Sequence, residues 1–541
     1  MACFSAGKEP ADWDNDPPEM KKERKGYWLT GFATGPDTTM GVLWGSALVA
    51  VAAKDAVCAP WNGVSSGADG SACTATSDWN QSLWEAVNGS FCETTNVFGE
   101  LIYSSDPSLP GCAGAFASYR VETSFTCNCS GPRSDHSVLE GGLRASNTFN
   151  LLMMIALFTI AVLSPIVGTH ADFSNNKLRN WRAMCIVGGL CNFGMMAMFP
   201  GGIWIIGMIF GGLTAIFTEI QLPIRSVYME YVAKDDATRS YLGAMRQCSS
   251  YSAQTVYALV ISGIQLFLSD PSIWSMIAAG LCAAWFITMM PLILQRFTEH
   301  GASRTNEAGT NIVVLTFTEI IKEFYNLTKY PEAFKFLIAH VLSQFGGPVV
   351  VTLVSTYLPG QLERSGIQVS IVALIVLLLG IGATLCLASL RKKGRLSFKI
   401  CWFIVLTLSI LIGTLVPLIA NKADFTSYLM VLLLAGVLGA VSISWFYSIG
   451  WPSFITLVPS DHVGAYNGIF SFCNAVVQPF ALLIYFAVLQ ATNSHPWAWL
   501  VTITPCSSLA LLIMMTVNFE KGKIDAGRVE GGKVADKTAV A

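Results

Sequence analysis

The stretch Gln295–Tyr330, QRFTEHGASRTNEAGTNIVVLTFTEIIKEFYNLTKY, decides how the chain is read. It is polar and lies near the middle of 541 residues. On either side run apolar segments long enough to cross a bilayer, which takes about 20 residues. Six precede it: Tyr27–Ala53, Asn147–His170, Met184–Phe199, Gly202–Ile224, Ser249–Leu268 and Ser272–Leu294. Six follow: Phe336–Leu358, Val369–Leu390, Phe398–Ala420, Tyr428–Gly450, Gly464–Gln490 and Trp497–Val517. Joints such as Pro200-Gly201 and Ser269-Asp270-Pro271 are tight enough to make neighbouring spans antiparallel hairpins. The layout predicts an all-α polytopic membrane protein of twelve transmembrane helices in two six-helix bundles. Its parts are a tail over 1–26, a bundle over 27–294 with a long loop at 54–145, a connector over 295–335, a second bundle over 336–518 and a tail over 519–541.

Composition agrees. The chain is 53% hydrophobic and only 13% charged, too little charge to cover a water-soluble surface of this size. A net charge of −2 speaks against nucleic acid, whose phosphates call for a basic excess. The first 26 residues are hydrophilic and end in Lys21-Lys22-Glu23-Arg24-Lys25, so the first span is expected to act as an uncleaved signal. Counting cations on alternate sides places 27 of the 33 Lys and Arg residues with the N-terminus, and four of the other six sit in the long loop. Both termini are therefore expected in the cytosol.

The loop at 54–145 would then face a lumen or the exterior. It carries Cys58, Cys73, Cys92, Cys112, Cys127 and Cys129, which on an oxidising side predict a disulfide-stapled cap with 15 connectivities open. Zinc ligation competes, but paired Cys-x-x-Cys knuckles are missing and no metal site is predicted. Asn80, Asn88 and Asn128 head glycosylation sequons. The other spans' cysteines read as small packing residues. In the connector, Val313, Phe317, Ile320, Ile321 and Phe324 fall opposite Thr318, Lys322 and Glu323, the pattern of a helix lying on the membrane surface. The tail after Phe519 is polar and Gly/Lys-rich, and disorder is expected there.

Ionisable groups inside spans are costly and are functional candidates by default. Asp37 follows Gly35-Pro36, where the Pro ring frees backbone groups; a broken helix beside a carboxylate suits a proton or a substrate amine, and a capping or packing Asp is the alternative. Glu219, Gln221 and Arg225 share the end of the fourth span, where a Glu–Arg gate competes with substrate binding. His340 and Gln344 lie on one helical face; a His can couple to protons, although a hydrogen-bonded structural His is the simpler reading. Trp445, Tyr447 and Trp451 line a pocket or anchor at the interface. Asn474 and Gln478, the latter beside Pro479, bond either ligand or a neighbouring helix. No P-loop, nucleophile elbow, His-Glu-x-x-His or dinucleotide fingerprint occurs, so neither an enzyme nor a cofactor is expected.

The turn Gly168-Thr-His-Ala-Asp172-Phe-Ser-Asn-Asn-Lys177-Leu-Arg179 resembles the loop signature of the major facilitator superfamily. That resemblance implies that Gly168, Asp172, Lys177 and Arg179 act on gating and not on substrate. The matching turn Arg391-Lys-Lys-Gly-Arg395 keeps the basic part without the Asp. Gly26-Tyr-Trp-Leu-Thr-Gly-Phe-Ala-Thr-Gly-Pro36, Leu457-Val-Pro459 with Tyr466-Asn-Gly-Ile-Phe470-Ser-Phe472, and Val517-Asn-Phe-Glu520-Lys-Gly522-Lys are similar to the autophagy-related vacuole effluxer-like family. Three family positions depart: Leu222-Pro223-Ile224-Arg225 replaces Leu-Pro-Glu-Leu, Gln344-Phe345-Gly346 replaces an Asp-Gly pair, and Trp451 replaces a basic residue.

The resemblance implies a secondary transporter that moves neutral amino acids or similar zwitterions out of a vacuole-like lumen by alternating access, with proton coupling as one option. The partners are then a small-molecule substrate and the bilayer; the sequence is silent on oligomeric state. A plasma-membrane exporter of hydrophobic metabolites or drugs, a lipid scramblase, and a receptor built on the Cys-rich loop are the rival readings. The loop reading has a direct check. Replacing Asn80, Asn88 and Asn128 together by Gln should abolish the gel shift produced by glycosidase treatment, whereas Asn326→Gln, in the sequon of the connector, should leave that shift intact.

Overall fold

The structure is a computed structural model that describes residues 16–54, 92–95, 101–104, 148–199, 203–233, 235–268, 270–302, 312–362, 366–392, 396–420, 424–492 and 494–528. The glycosylation sites and the side chains of the six loop cysteines lie outside the described residues. The chain divides into two units. The smaller, Leu48–Phe149 with Phe199–Trp204, contains an antiparallel hairpin of Cys92–Thr95 and Leu101–Ser104 in which Cys92 faces Ser104 and Thr95 faces Leu101. The larger holds Met1–Ala47, Asn150–Met198 and Ile205–Ala541, and all that follows concerns it.

The spans are helices in the order the sequence predicts. The first is Pro18–Lys54, the second Thr148–Phe173, the third Lys177–Gly194, and the fourth Trp204–Glu219 continued by Gln221–Val232. The fifth is Asp236–Phe267 and the sixth Pro271–Leu294; the connector helix is Ile312–Leu327. The seventh is Pro331–Ser343 continued by Gly347–Leu362, the eighth Gly366–Lys392 and the ninth Phe398–Ile419. The tenth runs from Phe425 to Ile455, the eleventh is Val463–Thr492 and the twelfth His495–Thr516. Short polar residues start several of them. Asp235, Asp270, Ser397 and Asp424 accept hydrogen bonds from the N–H groups of Thr238, Ser272, Ile400 and Ser427, each cap worth about 1 kcal/mol. Among the described residues eight helices are long and apolar enough to cross a membrane unaided. The first, third, fifth and seventh are not among them. These four carry Asp37, Asn192, Arg246 and His340, and a helix can hold such residues only when they face protein or a watered interior.

Both chain ends meet on one face. Arg24 donates to the carbonyl of Val232 at 2.7 Å, and Arg528 lies 3.1 Å from the Glu230 carboxylate. On that face the N-terminal bundle packs Tyr27, Trp181, Tyr228 and Phe297 into one apolar cluster, and the C-terminal bundle packs Phe336, Trp402, Phe446, Phe454 and Phe470 into another. We call this the termini face.

Four expectations change. The first helix is not broken at Pro36 but runs through it. The missing N–H of Pro36 orphans the carbonyl of Phe32, four residues back, and the indole N–H of Trp285 on the sixth span fills the vacancy at 3.1 Å. The seventh span does break, at Gln344-Phe345-Gly346, where Phe345 and Gly346 bond three residues back and the Gln344 carbonyl is met by Val349 at 3.4 Å because Pro348 has no N–H to offer. The tenth span contains a π segment, Leu432–Leu438. In the connector helix Glu319 and Glu323 are buried against protein, and Phe317, Ile321 and Phe324 face outward. Last, the tail is not disordered from Phe519, since Phe519–Asp525 is helical and Arg528 is held in place.

Two outcomes are expected from this packing. Trp285→Phe strands the Phe32 carbonyl and should cost about 1–3 kcal/mol, seen as a lowered melting temperature in detergent, and adding Pro36→Ala should recover most of it by restoring the native N–H donor. The second concerns Glu323, 2.5 Å from His462 at the start of the eleventh span. Burial pushes its carboxyl up, but bonding to and the charge of His462, with help from Asn326 and Tyr466, more than offset this and hold it below the ordinary 4.5. A depressed carboxyl stabilises above its unfolded value and loses that contribution as pH falls through the folded one. Hydrogen exchange of residues 312–327 should therefore stay slow from neutral pH down to 4.5 and quicken only below it.

Candidate functional site

Asp37 sits at a crossing of four helices in the N-terminal bundle. Its Oδ1 accepts the Asn192 amide at 3.0 Å from the third span and the Cys282 thiol at 2.9 Å from the sixth, with the Thr218 hydroxyl of the fourth beside it. Its Oδ2 is buried with no hydrogen-bond partner, and so is the Oδ1 of Asn192. Two buried acceptors are thus left without a donor among the described residues. Isolated buried acceptors are costly, so this arrangement suits a proton or a bound ammonium.

Glu219, the residue after Thr218, is solvent-accessible although it stands inside the bundle, within the fields of Arg225 and Arg246 and close enough to act on Tyr447 of the tenth span. A carboxylate turned to lipid would find no such cations, so Glu219 and the 45% exposed Tyr447 line the inner space between the two bundles. The expected Glu219–Arg225 ion pair is not formed among the described residues. The helix is interrupted at Ile220, which separates the two side chains while leaving them coupled through charge. Arg246 carries a buried, unpartnered Nε, and Tyr27 of the first span lies in the fields of both arginines. Cys185 lies within the fields of both Asp37 and Arg225. Glu219, Arg225 and Arg246 act on one another, while Asp37 is held by neutral neighbours at its own helix crossing.

Arg246 is the residue that sequence reasoning missed. With the fifth span drawn from Ser249, Arg246 counted as a flanking cation; the helix starts at Asp236, so Arg246 lies about 15 Å along it. A charged residue three positions before an apolar run was the available signal.

Other candidates go elsewhere. Gln221 is engaged in full: its Oε1 accepts the Trp181 indole at 3.2 Å and the Cys185 thiol at 3.1 Å, and its Nε2 donates to the Phe217 carbonyl at 2.7 Å. His340 and Gln344 do share a face, their nitrogens 2.9 Å apart, and Gln344 donates to Asn474 at 2.8 Å. His340 is stacked between Phe446 and Phe470 in the C-terminal core, the structural role that its neighbours favour. Trp445 is buried and donates to the Ala383 carbonyl at 3.0 Å, while Trp451 donates to Asn467. Gln478 is half-buried on the eleventh span, one turn past Asn474. Four spans' free thiols, Cys185, Cys191, Cys282 and Cys401, are buried.

At the termini face the bundles are joined by polar bonds. Asp172, at the end of the second span, accepts the N–H groups of Gly464 and Ala465 at 3.0 and 2.8 Å. A carboxylate on the first turn of the eleventh helix satisfies orphan donors and the helix dipole at once. The helices approach so closely there that a Cβ on Gly168 would lie 2.4 Å from the Gly464 carbonyl. The counterpart contact comes from Arg391, at the end of the eighth span, which donates to Ser240 at 3.1 Å on the fifth. Lys177 instead stays within its own bundle, donating to Tyr231 and to the Gly301 carbonyl at 2.9 and 2.7 Å, and Arg179 is exposed.

The fold is that of known transporters. The proton:xylose symporter XylE of the major facilitator superfamily, solved with 6-bromo-6-deoxy-D-glucose, matches with a TM-score of 0.56 at 14% identity over 93% of this chain and 97% of that one. The human organic anion transporter MFSD10 (TETRAN) matches with a TM-score of 0.52 at 11% identity over 92% and 100%. At such identities the likeness concerns the fold. No curated protein matches the sequence. A family model described as "Vacuole effluxer Atg22 like" matches residues 19–527. The chain is thus a multi-pass membrane transporter, not an enzyme, with the fold of the major facilitator transporters, and it belongs to the vacuole effluxer Atg22-like family.

Proposed function

We propose that the protein moves neutral amino acids, or zwitterions of similar size, out of a vacuolar lumen into the cytosol. The carrying observation is a charge-balanced set of groups in the N-terminal bundle, Asp37 at its helix crossing and Glu219 within the fields of Arg225 and Arg246. Unpartnered acceptors at Asp37 and Asn192 suit an ammonium, and the unpartnered Arg246 Nε suits a carboxylate. A substrate with one charge of each sign leaves the balance undisturbed, whereas a net ion would bury an uncompensated charge. Tyr447 supplies an aromatic wall for the side chain.

Alternating access then opens the cluster to one side at a time. In the present state the bonds at Asp172 and Arg391 close the termini face. The cation count makes that face cytosolic, so the cluster is sealed from the cytosol and would load from the lumen. The loop at 54–145 is then the luminal cap, with Asn80, Asn88 and Asn128 as its glycosylation sites and the six cysteines as its staples. The outward apolar face of the connector helix, Phe317, Ile321 and Phe324, rests on the cytosolic leaflet. Asp37, able to hold a proton when no ammonium is present, offers the means of coupling to a lumen more acidic than the cytosol.

The test is flux of labelled neutral amino acids in proteoliposomes, with and without an imposed pH gradient. Saturable movement that the gradient stimulates is expected. Asp37→Asn should lower the gradient-driven rate at least tenfold, and Arg246→Gln should raise KM for amino acids by about the same factor, each equivalent to roughly 1.4 kcal/mol. Wild-type flux in both variants, or movement of phospholipid with no amino acid moved, would overturn the proposal.

A further inference from the structure

The ten residues after the last span do more than end the chain. Toward the C-terminal bundle, residues 519–528 are seated by apolar packing: the Phe519 ring stands against Phe336 and Phe398, and a Cβ on Gly522 would lie 2.4 Å from Leu457. The N–H of Asn518 donates to Glu332 at 2.7 Å, and Arg528 Nε donates to the Val458 carbonyl at 2.6 Å. Toward the N-terminal bundle the contacts are ionic. Lys523 lies 2.8 Å from Asp236, at the start of the fifth span, and Arg528 lies 3.1 Å from Glu230, near the end of the fourth.

We propose that residues 519–528 form a strap, carried by the C-terminal bundle, that latches the termini face shut, and that unlatching precedes opening on that side. The two sides of the strap differ in how readily they part. Apolar seating is lost only at the cost of exposing its area, whereas the two ion pairs, largely buried in the closed state, exchange protein partners for water when the face opens. The acceptors are also prepared for the strap to leave. Arg239 lies 3.1 Å from Glu230 and 3.2 Å from Asp236, so both carboxylates keep a cation when Lys523 and Arg528 withdraw. That internal cation is what makes the latch reversible, since a buried carboxylate left alone would resist opening. The strap sits beside the contact it would guard: the loop holding Val458 leads directly into Gly464 and Ala465, the two residues bonded by Asp172. The inference rests on the transport reading only in requiring that this face opens.

The test needs no substrate, so its failure is distinct from failure of the amino-acid proposal. Hydrogen exchange of the full chain in lipid nanodiscs reports on the Gly464 and Ala465 amides, which Asp172 holds in the closed state. The double variant Lys523→Ala/Arg528→Ala should raise exchange there at least tenfold, with protection in the middle of the fifth span and the melting temperature unchanged. Arg528→Lys, which keeps the charge, should match wild type and serves as the milder variant. Unchanged exchange at Gly464 and Ala465, or a rise spread over all spans with a lowered melting temperature, would overturn the latch.

Discussion

A polar group placed inside a bilayer must find its partner within the protein, because hydrocarbon offers none. Much of this structure follows from that constraint. Pro36 could sit in the middle of the first helix only because Trp285 reaches across from the sixth to cap the carbonyl it orphans. Gln221 spends every polar atom on the third and fourth spans, which locks those helices together and withdraws it from any ligand. At Asp37 and Asn192 the rule is left unmet by two acceptors on neighbouring side chains, and at Arg246 by a donor on the fifth span.

The same constraint separates the two halves of the chain in character. In the C-terminal bundle His340 lies between aromatic rings and reaches Asn474 through Gln344, and Ser409 bonds Ser442 at 3.0 Å. The N-terminal bundle concentrates the charge. Such a division lets one half act as a rigid wall while the other carries the chemistry, and it explains why the second half has no counterpart to Asp172. Its own tie at the termini face, Arg391 to Ser240, uses a cation and a hydroxyl in place of a carboxylate and two amides.

At the termini face, water is near and the economy is different. There the bundles are held by a few directional bonds, by ionic contacts of the strap and by apolar packing of Ala388 against the N-terminal cluster. Contacts of that kind can be made and broken repeatedly, which a machine with two resting states requires. Glu23 shows the opposite use of charge on the same face. It accepts the Thr298 N–H at 2.8 Å and lies 3.1 Å from His300, fastening the start of the first helix to the end of the sixth within one bundle.

By itself the sequence determined the class of protein, the number and order of spans, the polar connector between the halves, and the family. Those properties are carried by runs of twenty residues, and the free energy of moving such a run into hydrocarbon outweighs any single neighbour. It also marked Asp37, Glu219 and Arg225 as costly inside spans. Only the tertiary structure decided what those residues do. Whether Pro36 breaks its helix and whether the tail is ordered depend on distant partners: Trp285 for the first, and Phe336, Val458 and Glu230 for the second. Arg246 is the plainest case, since hydropathy places a charge near a span's end in the flank, and only the extra helical turns set by the Asp235 cap carry it into the bundle. Hydropathy sums over a window and so records which segments leave water; it holds no record of which side chain, two hundred residues away, will be waiting there.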